Sequence, residues 1–175
     1  MRRAELEHLI RAAAAVTNEY EIVVIGSQSI LASVPAPPPE LVQSMEADCY
    51  PLRRPELADL IDGAIGELSP FHERFGYYAQ GVGPETAVLP DGWQERLVKL
   101  QNEQTDLKLG WCLEPHDLAA AKLVAGRDKD GPFVATMLRH GIISIDALLD
   151  RIAALPLDEA RKARLQRQAR RLAQA

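Results

Sequence analysis

The chain has 175 residues, 47% hydrophobic and 26% charged, with a net charge of −5 and two cysteines. That length allows one domain with a real core, or a domain with a small helical appendage, and the balance excludes a disordered chain and one with a general basic footprint for nucleic acid. Cys49 and Cys112 have neither CxxC spacing nor a histidine at zinc-finger distance, which argues against a disulfide framework or structural zinc, and no apolar run approaches a membrane span.

Residues 3–17 are predicted to be helical, because Leu6, Leu9, Ile10 and Ala13 recur at i, i+3, i+4 and i+7. Ile22, Val23, Val24 and Ile25 form a β-branched run apolar on both faces, so residues 21–26 are predicted to be a central strand. Gly26 and Ser27 end that run, and residues 27–33 have the composition of a short helix. Its start would aim backbone N–H groups above the strand. A proline-rich connection, Pro35 to Pro39, leads to a second strand over 44–50, which Pro51 ends. Residues 55–65 are the next helix, with Pro55 in its first turn and Leu57, Leu60, Ile61 and Ile65 on one side.

Residues 69–76 are expected to form a loop. Segments 77–82, 86–89 and 96–99 are candidate strands of an antiparallel extension, with a turn at Pro90, Asp91 and Gly92. Residues 107–113 are another apolar run. Helices follow over 115–126, 129–139, 144–154 and 157–173, broken by His140-Gly141 and Leu155-Pro156. The expected class is α+β: a small mixed sheet with flanking helices over residues 1–114, and a helical C-terminal part over 115–175. The last stretch is basic. Arg161, Lys162, Arg164, Arg167, Arg170 and Arg171 face only Asp158 and Glu159, which leaves −9 for the rest of the chain. It is either a solvated helix face or a tail that docks on an acidic body, its own or a partner's.

Three features could carry chemistry. Glu46 and Asp48 alternate on a strand and so project from one face, where two carboxylates repel unless a cation lies between them. A solvated acidic strand edge is the rival reading. Mg²⁺ takes oxygen ligands and commonly completes its shell with phosphate oxygens. Gly26 at a strand-to-helix junction lets a phosphate approach the backbone, and the Ser27 hydroxyl can add a hydrogen bond; otherwise the pair merely makes a turn. Neither a Walker A loop nor GxGxxG is present. Lys122, four residues after Leu118, leans onto a buried stripe and needs an anionic partner. That partner is a carboxylate (Glu46, Asp48 or Asp117) or a triphosphate. Arg127, Asp128 and Asp130 either cap the next helix or fix Lys122. His72 and His116 are weaker acid/base candidates, and of Tyr77 and Tyr78 at most one lines a pocket.

Taken in order, Gly26-Ser27, Glu46 and Asp48, Asp117-Leu118 with Lys122 and Ala125, and Arg127 to Asp130 resemble the nucleotidyltransferase-like proteins of the abortive-infection toxin type and their bacterial relatives. The resemblance covers roughly residues 20–150. It implies the polymerase-β-like fold and a Mg²⁺–NTP site between the sheet and the first C-terminal helix. It places Glu46 and Asp48 at the metal, Gly26 and Ser27 at the phosphates, and Lys122, supported by Arg127, at the triphosphate. A cytoplasmic protein is implied, with no membrane partner, a cognate antitoxin, and an RNA or protein hydroxyl as NMP acceptor. The chain departs from the family pattern in two ways. Glu46 stands where Asp is usual, and no third carboxylate has matched flanks, although Asp91 and Glu95 are candidates. Those departures keep open an alternative: a binding or interaction module on the same fold that has lost the chemistry.

Overall fold

A computed structural model describes residues 1–174 and is mixed α+β, with a five-stranded sheet and eight α-helices among the described residues. It divides into two units, Met1–Thr86 with Leu97–Leu113, and Ala87–Arg96 with Glu114–Ala175. The chain crosses between them after Thr86, after Arg96 and after Leu113. Ala175, the end of the expected helical part, lies outside the described residues.

The first unit opens with α1 (Arg3–Thr17), which buries Leu6, Leu9, Ile10 and Ala13 at 1% exposure or less. Side chains of this size each contribute about 1.5–3 kcal/mol when fully buried. A 3₁₀ turn (Ser27–Ser29) runs into α2 (Ile30–Ser33), and another (Pro55–Leu57) into α3 (Ala58–Ile65). The sheet consists of β1 (Glu21–Val24), β2 (Glu46–Pro51), β3 (Tyr78–Gly81), β4 (Val98–Leu100) and β5 (Leu109–Cys112), in the order β3-β2-β1-β5-β4. β1 is the middle strand, antiparallel to β2 and parallel to β5. Its Ile22, Val23 and Val24 are wholly buried, as a strand apolar on both faces requires. Gly110 in β5 lets α1 come close: a Cβ there would lie 2.5 Å from Ile10 Cδ1.

The antiparallel extension is not what forms. β3 pairs parallel to β2, β4 pairs antiparallel to β5, and no strand forms over 86–89. Parallel pairing needs a long crossover, and the β2–β3 connection supplies one: it carries α3 and then a second helix, α4 (Pro70–Phe75), where a loop over 69–76 is expected. Ser69 caps it by accepting from the His72 N–H, Pro70 starts it, and Gly76 at φ 76° ends it. Residues 86–89 lie between Pro84 and Pro90, and the chain leaves the first unit after Thr86. We expect Ser69→Ala to cost about 1 kcal/mol in a urea melt, the usual value of an N-cap side chain; an unchanged midpoint would remove α4's cap from this account.

The second unit packs α5 (Pro115–Ala125), α6 (Asp130–Arg139), α7 (Ile145–Ala153) and α8 (Glu159–Leu172) around Leu118, Leu123, Val134, Met137, Leu148, Ile152, Leu165 and Ala169. Glu114, Ser144 and Asp158 cap α5, α7 and α8 with side-chain oxygens. Gly126 at φ 65° ends α5. Among the described residues, no helix is long and apolar enough to cross a membrane.

Candidate functional site

The acids of β2 follow from strand alternation. Ala47 and Cys49 are buried at 1% and 3% exposure, so Glu46 and Asp48, both half-buried, share the other face. Beside them β1 ends. The Ile25 N–H still donates to Asp48 O at 3.0 Å, and the chain then turns at Gly26 into the 3₁₀ turn, closed by the Ser29 N–H on Gly26 O at 3.0 Å. Gly26 has an ordinary extended backbone (φ −84°), so conformational freedom is not its role. Space is. A Cβ at position 26 would lie 2.2 Å from Asp48 Oδ2 and 2.9 Å from its Cγ. The missing side chain therefore gives the Asp48 carboxylate its place, against the backbone that leads into Ser27.

β3 supplies the neighbouring face. Tyr78 is in register with Glu46, and its hydroxyl donates to Glu46 Oε2 at 2.9 Å. Burial, and then Glu46, push the phenol up to about 12, so it remains a donor at neutral pH. Gln80 is in register with Asp48. The adjoining strand thus carries a phenol and an amide in line with the two acids, and no third carboxylate. Among the described residues, no group of three or more His, Cys, Asp or Glu side chains could hold a metal ion. The donor set is two carboxylates, which fits Mg²⁺, an ion often held by one or two carboxylates with phosphate oxygens and water completing its shell.

Two side chains here were not anticipated. Gln28 and Ser29 are 0% exposed, yet Gln28 Nε2 and Oε1 and Ser29 Oγ have no hydrogen-bond partner among the described residues. Each such buried polar group costs about 1–3 kcal/mol. Their side-chain identity alone, polar in an otherwise apolar stretch, was the only signal. Tyr78 was half legible: Tyr77 and Tyr78 do face opposite ways, Tyr77 O–H meeting His8 Nδ1 at 2.8 Å while Tyr78 meets Glu46.

The second unit holds the other polar residues. Lys122 is 4% exposed; its Nζ lies 3.1 Å from Asp130 Oδ1 and 4.3 Å from the centroid of the Phe133 ring. Its partner is thus Asp130, at the start of α6, rather than Glu46, Asp48 or Asp117. Arg127 joins the same carboxylate through its backbone N and its Nε, both 3.0 Å from Oδ2. Burial pushes the Lys122 ammonium below its ordinary value, against Asp130. Burial also pushes Asp130 up, but Arg127 and Lys122 outweigh it and hold the carboxyl below the usual range. An ammonium so placed would have to leave Asp130 to reach a phosphate.

Asp117, 0% exposed, accepts a bidentate pair from Arg96 Nε and Nη2 at 2.8 and 2.9 Å, which holds the guanidinium above its ordinary value. Arg151 Nε lies 3.1 Å from Asp117 Oδ1, and its N–H makes no hydrogen bond among the described residues. His116 bridges Glu114 Oε1 (2.6 Å) and the Ser144 N–H (3.0 Å), a brace between α5 and α7. His72 Nδ1 accepts the Leu68 N–H. Asp91 and Glu95 are exposed residues of the second unit. Cys49 and Cys112 are buried free thiols whose pKa burial raises, Cys112 to about 12. Gly26, Ser27, Glu46 and Asp48 therefore come together in the first unit, whereas Lys122 and Arg127 share Asp130 in the second.

Residues 4–172 match a protein family described as "nucleotidyltransferase of unknown function (DUF6036)". Comparison with curated proteins and with solved structures finds no match.

Proposed function

Because the chain belongs to the DUF6036 family of nucleotidyltransferases of unknown function, we propose that it is a Mg²⁺-dependent enzyme that moves NMP from an NTP to a hydroxyl on an RNA or protein acceptor. The observation that carries this reading is the close fit of Gly26 against Asp48, 2.2 Å from a would-be Cβ to Oδ2, with Glu46 on the same strand face. It sets one of a pair of carboxylates suited to a hard cation directly against the backbone that leads into Ser27.

In this reading Glu46 and Asp48 hold the ion, and Tyr78 fixes the Glu46 carboxylate by donating to Oε2. Mg²⁺ bound there would neutralise charge on phosphate oxygens. The backbone at Gly26 and the Ser27 hydroxyl offer hydrogen bonds to the phosphates. Lys122 and Arg127 act through Asp130, tying the end of α5 to the start of α6; a direct role of Lys122 at the triphosphate would require it to exchange Asp130 for phosphate. The resemblance to abortive-infection toxins supports a toxin setting in the cytoplasm, with a cognate antitoxin as partner.

The test is transfer of label from each NTP, with Mg²⁺, to total RNA or to lysate protein. Wild type is expected to label an acceptor, and Asp48→Asn to do so at least about 100-fold more slowly, since several kcal/mol of transition-state stabilisation would go with the ion. No labelling by wild type, or equal labelling by Asp48→Asn, ends the proposal. A second reading, a nucleotide-binding module without turnover, is favoured by one observation: Tyr78 and Gln80 stand in line with the acids where a third carboxylate would complete a site. Calorimetry with Mg²⁺ and NTP separates the two, because binding without product supports the module and turnover removes it.

A further inference from the structure

α8 is anchored by one stripe, and its arginines occupy the rest of its surface, with Arg161 exposed at the start of that stripe, one turn before Leu165. Leu165 and Ala169, at 6% and 0% exposure, face the core of the second unit, with Leu172 half-buried on the same stripe. Arg161, Arg164, Arg167, Arg170 and Arg171 are all exposed, and Arg164, Arg167 and Arg171 repeat at i, i+3 and i+7 away from that stripe. Among the described residues, the only ion pair within α8 is Lys162 with Glu159 at 3.1 Å. None of the five arginine side chains makes a hydrogen bond or ion pair among the described residues. Elsewhere in the chain, which has 25 acidic residues and a net charge of −5, Arg2, Arg3, Arg53, Arg54, Arg96, Arg127 and Arg151 have carboxylate partners, and Arg11, Arg74 and Arg139 have none among the described residues, but only in α8 do unpaired arginines cluster on one element.

We propose that this arginine face of α8 docks the phosphate backbone of an RNA strand. Two observations favour RNA over a protein. The face presents guanidinium groups, whose planar fork matches phosphate. It also lacks an apolar centre: the other exposed residues of α8 are Glu159 and Ala160, whereas a protein interface needs a buried aromatic or aliphatic anchor. The choice of RNA rests on the nucleotidyl-transfer reading, because RNA is the one of its two acceptor classes that carries phosphates.

The full chain is titrated with a labelled single-stranded RNA, followed by anisotropy across a salt series. Wild type should bind, with log K falling against log salt at a slope of about −3.5, some 0.7 for each of five neutralised phosphates. The variant carrying Arg161→Gln, Arg164→Gln, Arg167→Gln, Arg170→Gln and Arg171→Gln should lose about 100-fold in affinity at low salt and most of the slope. Circular dichroism checks that it folds, and the matching five-lysine variant, which keeps the charge, should keep most of the slope. Lys99→Gln with Lys108→Gln should leave binding within about twofold, because those cations lie off α8.

Equal binding by wild type and the five-glutamine variant overturns the proposal. So does tighter binding of DNA of the same sequence, displacement of RNA by polyglutamate at equal charge, or a wild-type dimer that the five-glutamine change dissolves, which would make the partner a second copy. RNA binding by wild type without transfer would sink the enzyme reading and leave α8's role standing; transfer to RNA that survives the five-glutamine change would do the reverse.

Discussion

Asp130→Ala is expected to lower the free energy of unfolding by about 3–5 kcal/mol, the usual result of removing one partner from a buried ion pair. Three contacts converge on this carboxylate: Lys122 Nζ on Oδ1, and the backbone N and Nε of Arg127 on Oδ2. Lys122 is 4% exposed and cannot regain water without moving, so its charge would be left beside the Phe133 ring and otherwise unpaired. Arg127 is exposed and loses much less. Urea melts at neutral pH give the measurement, and a change below about 1 kcal/mol would show that Lys122 finds another partner. The same pair has a pH signature. Asp130's folded pKa is depressed, so its contribution is complete above the ordinary carboxylate range and is lost as pH falls through the folded value. Acidification should therefore destabilise wild type more than Asp130→Asn, the difference shrinking toward low pH.

Gly26→Ala is the second large effect, and its origin is steric. The backbone at φ −84° accepts alanine, but the new Cβ would occupy the space of Asp48 Oδ2. The carboxylate must move, and activity should fall about 100-fold if Asp48 holds the ion. Overpacking of this kind also costs about 1–3 kcal/mol of stability. The two consequences separate in a double-mutant cycle. In an Asp48→Ala background the obstructing carboxylate is gone and only a Cβ–Cβ approach of 3.1 Å remains, so Gly26→Ala should cost much less, and the two changes should be non-additive. Additive costs would mean that the substitution acts through something other than Asp48. That result needs no substrate, so it tests the geometry even where the acceptor is unknown.

Much of the fold was legible because it follows local rules. The stripe Leu6, Leu9, Ile10, Ala13 is the buried face of α1, and the β-branched run became the middle strand. The alternation of Glu46 and Asp48 placed them on one face because a strand's side chains alternate whatever its neighbours. α4 was missed although its signals were present, Ser69 before Pro70 and Gly76 after the last turn. The apolar residues Phe71 and Phe75 are too few, and the helix too short, for a period to register over six residues. The parallel pairing of β3 with β2 is a different matter: the helix over 55–65 between them is compatible with a crossover, but strand direction is set by how whole elements pack and is not written in local pattern.

The sequence by itself determined the order of elements, the central strand, the shared face of the two acids and the basic character of the last helix. Each depends on residues adjacent in the chain or one helical turn apart. Only the tertiary structure decided that Asp48 fills the volume a side chain at Gly26 would take, that Tyr78 rather than Tyr77 reaches Glu46, that Lys122 pairs with Asp130, and that the arginines of α8 find no carboxylate partner among the described residues. Those outcomes depend on strand register, on which helix end meets which, and on which charges find a partner in space. Such distances are set by the packing of whole elements, and sequence separation carries no record of them.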